Sequence, residues 1–356
     1  MKKTLQEQYE RKERKKQILL WTGMVGVIFL AFGTAALGAS DTSVRDLFAA
    51  IGEAVKTGGN PEDTGHKVIF LLRLPRIVMA VFAGIGLSVA GTAMQGITGN
   101  PLVSPFTLGI SNAAAFGASL SLVFGIGIGA GTEGGVVFQA FLWAGVCTVL
   151  VYLVSSRAGL GPESMILAGI GLNYLFSAAT SVIQYFADEH KLTAAVQWAF
   201  GSLNGAAWEQ TVIVAALVTI CSVALFFMAL DLNAMAAGDD EVAISLGVHP
   251  ERVRILAGIL AVLMTAAVIS FTGVIGFVGL AGPHMARLMI GNDHRYLLPC
   301  SGLWGAALLL AADAVGRMLL APVVIPVGIV VSFIGVPVFI NLVLTAGKGG
   351  NGWDWK

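Results

Sequence analysis

Residues 238–254 read GDDEVAISLGVHPERVR, and they interrupt an otherwise apolar chain. The segment holds four acids and two arginines, and an apolar run long enough to cross a bilayer lies on each side of it. A helix needs about 20 apolar residues to cross a hydrocarbon core of about 30 Å. We therefore interpret this stretch as an extramembrane loop between two membrane-spanning helices.

The composition of the whole chain is that of a membrane protein. Its 356 residues are 56% hydrophobic and 12% charged, with a mean hydropathy of +0.82, whereas ordinary soluble domains are about 25% charged. The formal net charge is zero, so the composition indicates no nucleic-acid partner. Cys147, Cys221 and Cys300 lie in apolar runs without CxxC spacing, and we expect neither a disulfide framework nor a metal site.

Ten apolar runs predict an all-α integral membrane protein with about ten transmembrane helices. The runs are 18–37, 74–93, 106–128, 135–156, 163–187, 211–230, 253–272, 273–290, 296–320 and 323–346. Only the glycines of SFTGVIGF separate the seventh run from the eighth. We predict one permease domain over 18–346, preceded by a basic tail (1–17) and followed by a short tail (347–356).

The distribution of lysine and arginine predicts the orientation. With ten spans both termini share one side, and that side carries 14 of the 21 basic residues. Because cytoplasmic loops are enriched in these residues, we expect both termini and the loop 231–252 to be cytoplasmic. The outer stretch 39–72 repeats apolar residues at helical spacing. It predicts a helix that either lies on the outer membrane face or packs on the ends of the spans.

Charged residues are scarce within the predicted spans, where each costs at least about 2.5 kcal/mol. Asp313 and Arg317 are spaced i,i+4 in the ninth span, and two interpretations stay open: a self-neutralising pair, or an arginine that faces outward to a partner. The polar residues in the middle of spans are neutral: Gln95, Asn112, Asn173, Gln184 and Asn341. The chain has no GxxxxGK[ST] phosphate loop. Energy for transport is therefore expected to come from a separate ATPase.

The charged loop carries helix start and stop signals. Asp239 or Asp240 can cap a short helix, EVAISLG, that Gly247 ends, and Pro250 can begin a second helix, PERVR. Val242 and Leu246, with Ala243 beside them, would form an apolar knob on the first helix. The loop is either a docking element that enters a groove on another protein or a solvated loop.

Six blocks in order resemble the permeases of iron-siderophore and cobalamin ABC importers, the FecCD-type transmembrane subunits. They are LRLPR (72–76), GLSVAGTAMQGITGNPLVSPFTLGISNAAAFGA (86–118), QWAFGSL (197–203), GVIGFVGLAGPHMARLMIGNDHRYLLP (273–299), AADAVGR (311–317) and IPVGIVVSFIGVPVFINLVL (325–344). Together with the charged loop they extend over some 300 residues.

The resemblance implies partners and site residues. It implies two ATP-binding-cassette subunits that hold ATP and Mg, a second permease chain, identical or similar, and an extracellular substrate-binding protein. No cofactor would bind this chain. Arg73, Arg76 and Arg317 would dock the binding protein, while Asn173 and Ser177 are candidates for the translocation path. The resemblance also implies short cytoplasmic coupling helices that transmit movement from the ATPase. The residues assigned to them are Asp239, Asp240, Glu241, Ala243, Leu246, Gly247, Val248 and Pro250.

We expect a transport subunit of the plasma membrane without catalytic residues. His284, Arg287, His294 and Arg295 have no HExxH pattern and no third metal ligand, so contact with the ATPase or the membrane edge is expected of them. Because a ferric siderophore is the family's commonest cargo, the resemblance implies a ferric siderophore as the cargo here. The alternatives are a cobalamin or haem permease, an ion-coupled secondary transporter with a titratable residue in the membrane, and a passive channel.

Overall fold

The computed structural model describes residues 5–36, 44–129 and 131–346, and within these ranges the regular structure is entirely helical. Two π-helical segments, Val68–Arg73 and Leu120–Phe124, continue the helices before them. The α-helices are α1 Leu5–Ala36, α2 Val44–Lys56, α3 Thr64–Lys67, α4 Leu74–Thr98, α5 Ile110–Ser119, α6 Glu133–Ser156, α7 Pro162–Tyr185, α8 Glu189–Ala199, α9 Trp208–Phe227, α10 Ala229–Ala236, α11 Asp240–Ser245, α12 Pro250–Thr272, α13 Val278–Ile290, α14 His294–Met318 and α15 Val327–Ala346.

The predicted all-α membrane fold is confirmed, with differences in span length. Within the described ranges, seven helices are long and apolar enough to cross a membrane, and Ile110–Phe124 and Val327–Pro337 are shorter apolar helices. A break separates the seventh and eighth spans, as the glycines indicated: α12 ends at Thr272, where the seventh span was predicted to end. Helix α13 begins at Val278, five residues after the predicted start of the eighth span. The 13 residues of α13 rise only about 20 Å, less than the hydrocarbon thickness, so α13 alone is too short for the predicted span.

Helix α4 lies at the centre of the bundle, and α9, α12, α13 and α14 pack around it. Glycines permit this close packing, as small residues do in other membrane bundles. A Cβ on Gly84 would lie 2.4 Å from the Gly305 carbonyl oxygen, and a Cβ on Gly91 would lie 1.9 Å from the Gly279 carbonyl oxygen. Both helix contacts therefore require glycine.

Helix α1 lies at the periphery of the bundle. It begins at Leu5, so the predicted basic tail, from residue 5 onward, and the first span form one continuous helix. Only 11% of the spanning part of α1 is buried in the protein. Most of its surface therefore faces the surroundings of the bundle.

The predicted outer helix exists as α2. Leu47, Ala50 and Ala54 are buried, whereas Val55 is exposed. The ring of Phe48 lies 5.7 Å from the ring of Phe32 on α1. These contacts support the interpretation of a helix packed on the ends of the spans.

Two helices depart from the expected loops. Helix α8 lies between the fifth and sixth spans, where no helix was predicted. Helix α10 occupies part of the predicted loop 231–252, which leaves residues 237–249 as the connection that contains α11. Pro250 begins α12, so PERVR is the first turn of a long helix, and the prediction of a separate second helix was wrong.

Candidate functional site

Two arginines bind one buried carboxylate near the start of α4, and a third arginine, Arg73, lies close to them. Asp313 on α14 is only 3% exposed, and its Oδ1 accepts hydrogen bonds from Arg76 Nε at 2.9 Å and Nη2 at 2.7 Å. Arg317 Nε lies 3.1 Å from the second carboxylate oxygen, Oδ2. The predicted i,i+4 pair is thus present, and Arg76 from a distant part of the chain completes it.

The arginines of this cluster are held by further acceptors. Arg317 Nη2 donates to the Thr34 carbonyl at 3.0 Å, and Arg73 Nη1 donates to the Ala35 carbonyl at 3.2 Å. Arg76 Nη1 also donates to the side-chain oxygen of Asn204. Arg76 and Arg317 are about 15% exposed, so they are positioned within the surface and do not extend freely from it.

A second charged cluster lies at the other end of α4. Arg254 on α12 is 2% exposed, and its Nη1 donates to Asp240 Oδ2 at 2.8 Å. The Nε of Arg254 donates to the carbonyl of Ile97, near the end of α4, at 3.2 Å. Tyr152 on α6 donates from its hydroxyl to the Arg254 carbonyl at 2.8 Å. The Arg254 side chain therefore connects α11 to α4, and its backbone carbonyl connects α12 to α6.

The hydrogen bond from Arg254 lowers the pKa of the Asp240 carboxyl below its ordinary value of 3.8. Asp240 is 46% exposed, whereas its partner is buried. The ionised carboxylate is thus the form that this contact stabilises.

The predicted coupling residues divide into exposed and buried groups. Gly247 ends the turn after α11 with a φ of +84°, as predicted. Ala243 is 1% exposed, so its predicted place in an exposed knob was wrong. The exposed apolar side chains are those of Val242, Ile244 and Leu246. Of the remaining predicted residues, Asp239 and Glu241 are exposed, Val248 is half-buried and Pro250 is buried.

A large open cavity lies beside α11. It has a volume of about 1050 Å³ and is lined by parts of 97–101, 158–167 and 235–241, together with Arg254. Its lining includes the acidic residues Glu163, Asp239, Asp240 and Glu241. The cavity is therefore a polar recess between α11 and the loops at the same end of the bundle.

The two charged clusters are separated by the length of α4. From Arg76 to Ile97 the helix advances 21 residues, which corresponds to about 32 Å. This distance is close to the thickness of a hydrocarbon core. The clusters therefore lie at opposite ends of one central helix.

The two candidates for the translocation path differ in exposure. Asn173 is half-buried, and its Oδ1 accepts a hydrogen bond from Asn112 Nδ2 at 2.8 Å. Ser177, one turn later on α7, is exposed, as is Tyr174. The Asn173 carboxamide oxygen therefore joins α7 to α5, while Ser177 and Tyr174 lie on the exposed side of α7, which we call its open face.

His294 of the NDHR motif and Arg287 of the GPHMAR motif make contacts inside the bundle. His294 is 2% exposed, and its Nδ1 lies 2.8 Å from the Asn233 side-chain oxygen, so its predicted contact with a partner or the membrane edge was wrong. Arg287 donates from Nη2 to the Gln95 side-chain oxygen at 3.0 Å. Over the residues that the structure covers, no three His, Cys, Asp or Glu side chains are grouped to hold a metal ion.

Sequence reasoning missed Asn204 and Tyr152. Both make single contacts with residues about 100 or more positions away, to Arg76 and Arg254 respectively. No local pattern marks such residues, because their contacts depend on how the helices pack.

Comparisons with known proteins agree along nearly the whole chain. The model of the FecCD transport family matches residues 24–345. The protein MJ0087 of Methanocaldococcus jannaschii, named as an ABC transporter permease, is 45% identical over 80% of this chain and 84% of its own length. The hemin transport system permease protein HmuU of Yersinia pestis is 34% identical over 92% of this chain and 96% of its own.

A solved structure has the same fold. It is reported as a metal-chelate type ABC transporter in an inward-facing conformation. It is 33% identical, matches with a TM-score of 0.81 and covers 92% of this chain and 99% of its own. Further relatives are import permeases named for ferric hydroxamate, ferric citrate, cobalamin and molybdate.

Proposed function

The chain belongs to the FecCD transport family of ABC importer permeases, and from this premise we propose that its cargo is a ferric siderophore. Relatives named for ferric hydroxamate, ferric citrate and hemin support an iron-containing cargo. Hemin, cobalamin and molybdate, which are named as cargos of other relatives, are the alternatives. The permease acts in the plasma membrane with both termini in the cytoplasm.

The assembly that we propose has five chains. Two ATP-binding-cassette subunits hold ATP and Mg and hydrolyse the nucleotide. A second permease chain, identical or similar, completes the transmembrane part, and an extracellular binding protein delivers the cargo. This chain is the transport subunit and carries no catalytic residue.

The exposed apolar surface of α11 is the observation that supports coupling of this permease to the ATPase. Val242, Ile244 and Leu246 are 42%, 59% and 61% exposed on a short helix that is flanked by acids. Such a small apolar knob fits a groove on an ATPase subunit, as helix-in-groove contacts do elsewhere. Because Arg254 joins α11 to α4, movement of the knob would shift α4 and α12 with it.

The arginine cluster at the other end of α4 is the proposed docking surface for the binding protein. Arg76 and Arg317 share the single carboxylate of Asp313, so the positive groups bound to it outnumber it and can attract carboxylates on the partner. Arg73 lies close by, on the carbonyl next to the one that Arg317 binds. An exposed ion pair contributes only about 0.2–1 kcal/mol. The cluster would therefore chiefly set the orientation of docking and the rate of encounter.

The permease itself would bind its cargo weakly. We assign the wall of the path to the open face of α7, with Ser177 facing the path and Asn173 holding that face against α5. Specificity would reside in the binding protein.

Coupling is tested with the double variant Ile244→Asp, Leu246→Asp in the full chain, co-expressed with its ATPase and binding protein. We expect the ATPase to be lost on purification and ATP-dependent uptake into proteoliposomes to fall at least about tenfold, since two buried charges would oppose docking. The control is Thr193→Asp on the exposed side of α8. Normal ATPase retention by the double variant would overturn the assignment of α11.

Docking is tested with Arg73→Glu, because Arg76 and Arg317 also neutralise Asp313. We expect uptake at limiting binding protein to fall several-fold while basal ATPase activity persists. Lys67→Glu, six residues earlier, is the control for a general charge effect. Unchanged uptake in Arg73→Glu would remove this residue from the docking surface.

The cargo is tested by binding measurements on the cognate receptor. We expect a ferric siderophore to bind more tightly than ferric citrate, hemin, cobalamin or molybdate. Tighter binding of hemin, cobalamin or molybdate would replace the proposed cargo without affecting the assignment as an importer permease.

A further inference from the structure

An apolar groove runs between α1 and the pair α13–α14. It has a volume of about 310 Å³, at the lower end of the range for ligand pockets. Its lining includes Leu19, Gly23, Gly26, Met289, Leu303 and Trp304. A Cβ on Gly26 would meet no atom within 4 Å, so glycine leaves open space at this point of the groove.

The groove opens at the perimeter of the molecule. Only 11% of the spanning part of α1 is buried, and of the side chains that line the groove, Thr22 is exposed and Met289 is 50% exposed. In a bilayer these side chains would contact lipid. A lipid molecule can therefore reach the groove from the surrounding bilayer.

Lysines continue the face of α1 that lines the groove. Lys12, Lys15 and Lys16 precede Leu19 by seven, four and three residues, so at 3.6 residues per turn they lie above the groove on the same side of the helix. Lys12 and Lys15 are exposed, and Lys16 Nζ lies 4.8 Å from the centre of the Tyr296 ring. The three lysine side chains therefore lie at one end of the apolar groove.

The neighbouring acids do not cancel this charge. Glu13 accepts a hydrogen bond from the Tyr296 hydroxyl, and Asp293 is bound to Arg295 at 2.7 Å. Glu10 lies on the opposite side of α1 from Leu19. The three lysines together outnumber the one acid, Glu13, that borders them on α1.

We propose that this groove binds an anionic phospholipid, with its phosphate at Lys12, Lys15 and Lys16 and one acyl chain along Gly23 and Gly26. The apolar lining of the groove matches the acyl chain of such a lipid, and the lysines at its N-terminal end match the phosphate headgroup. Clusters of basic residues beside a membrane span attract anionic headgroups for the same electrostatic reason. The lipid would fix α1 against α14, since the groove lies between these helices.

The test uses the full chain, with any subunits that co-purify, in detergent with equal amounts of phosphatidylglycerol and phosphatidylcholine. Native mass spectrometry measures the retained lipid. We expect preferential retention of phosphatidylglycerol, a loss of this retention in Gly26→Leu, and a decrease of about fivefold in Lys15→Gln. Size-exclusion chromatography checks that each variant is folded and has an unchanged oligomeric state.

Two matched controls separate a site from general effects. Gly33→Leu makes the same change on the same helix, also where no atom lies within 4 Å, but outside the groove. Arg14→Gln removes a charge one residue before Lys15, on the far side of the helix from the groove. Both should retain phosphatidylglycerol as the unchanged chain does.

Four results would overturn the proposal. Equal retention of the two lipids would show that charge plays no role, and an equal loss in Arg14→Gln and Lys15→Gln would show diffuse attraction. Retention of phosphatidylglycerol by Gly26→Leu at the original level would place the lipid elsewhere. If Gly26→Leu changed the oligomeric state and left lipid retention intact, the groove would be an interface between chains.

Discussion

At the scale of single residues, burial decides which member of an ion pair costs more stability when its partner is removed. Asp240 is 46% exposed and can be hydrated without its partner, whereas Arg254 is 2% exposed and cannot. Removing one partner of a buried ion pair is costly because it leaves an uncompensated charge in the protein. The two members of this pair should therefore respond differently to substitution.

Asp240→Ala should destabilise the protein by about 3 kcal/mol, because the buried guanidinium would keep only the Ile97 carbonyl as a described acceptor. Arg254→Met should cost about 1 kcal/mol, since water can solvate the carboxylate that remains. Thermal unfolding in detergent measures both values. Equal costs, or the reverse order, would contradict the asymmetry.

The lowered pKa of the Asp240 carboxyl predicts that the stability of the contact with Arg254 depends on pH. Its folded pKa lies below the ordinary value of 3.8, so its contribution is complete above that value and is lost as the pH falls through the lowered pKa. Hydrogen exchange in residues 239–247, corrected for the intrinsic rate, should therefore accelerate in acid. Asp240→Asn, which imitates the protonated carboxyl, should exchange rapidly already at neutral pH and show no such acceleration.

At the scale of helices, close packing around α4 depends on glycine. The contact between Gly91 and the Gly279 carbonyl brings α4 and α13 together with no room for a methyl group. Glycine is otherwise unfavourable within helices, by about 1 kcal/mol relative to alanine. Its presence here is explained by packing.

Gly91→Ala should destabilise the protein by about 1–3 kcal/mol, because the new Cβ would force backbone atoms apart. Gly145→Ala on α6 should be neutral or stabilising, since no atom lies within 4 Å of its Cβ position. Thermal unfolding of the two variants measures the difference. A stable Gly91→Ala protein would show that α4 and α13 can shift apart at little cost.

At the scale of the whole molecule, α4 connects two charged clusters about 32 Å apart. The proposed ATPase contact lies at one end and the proposed docking surface at the other. A buried helix between them can carry movement as a rigid body. This arrangement fits transport that is powered from one side and loaded from the other.

Reconstituted vesicles test the energy source. With the permease, its dimer mate, the ATPase and the binding protein, uptake should require ATP and should persist when proton and sodium gradients are abolished. Vesicles that hold only the permease chains should accumulate no cargo. Accumulation driven by an ion gradient without the ATPase would instead support a secondary transporter.

Much of the fold follows from local sequence. A run of about 20 apolar residues is a helix in a membrane wherever it lies, because unpaired backbone groups are too costly there. Ten runs and their breaks could therefore be predicted without knowledge of packing, as could the turn after Gly247. The length of α13 could not be predicted in this way. Residues 273–277 are apolar, but they are not helical and instead pack against the loop at Gly201.

The sequence by itself determined that the chain is a bundle of membrane helices with one charged loop between two spans, since hydropathy and helix signals act over a few turns. Tertiary structure alone decided that Arg76 neutralises Asp313, that Arg254 holds α11, and that a groove separates α1 from α14. These features join residues that are far apart in the chain or lie on different helices. Their geometry depends on how whole helices pack, which no local pattern records.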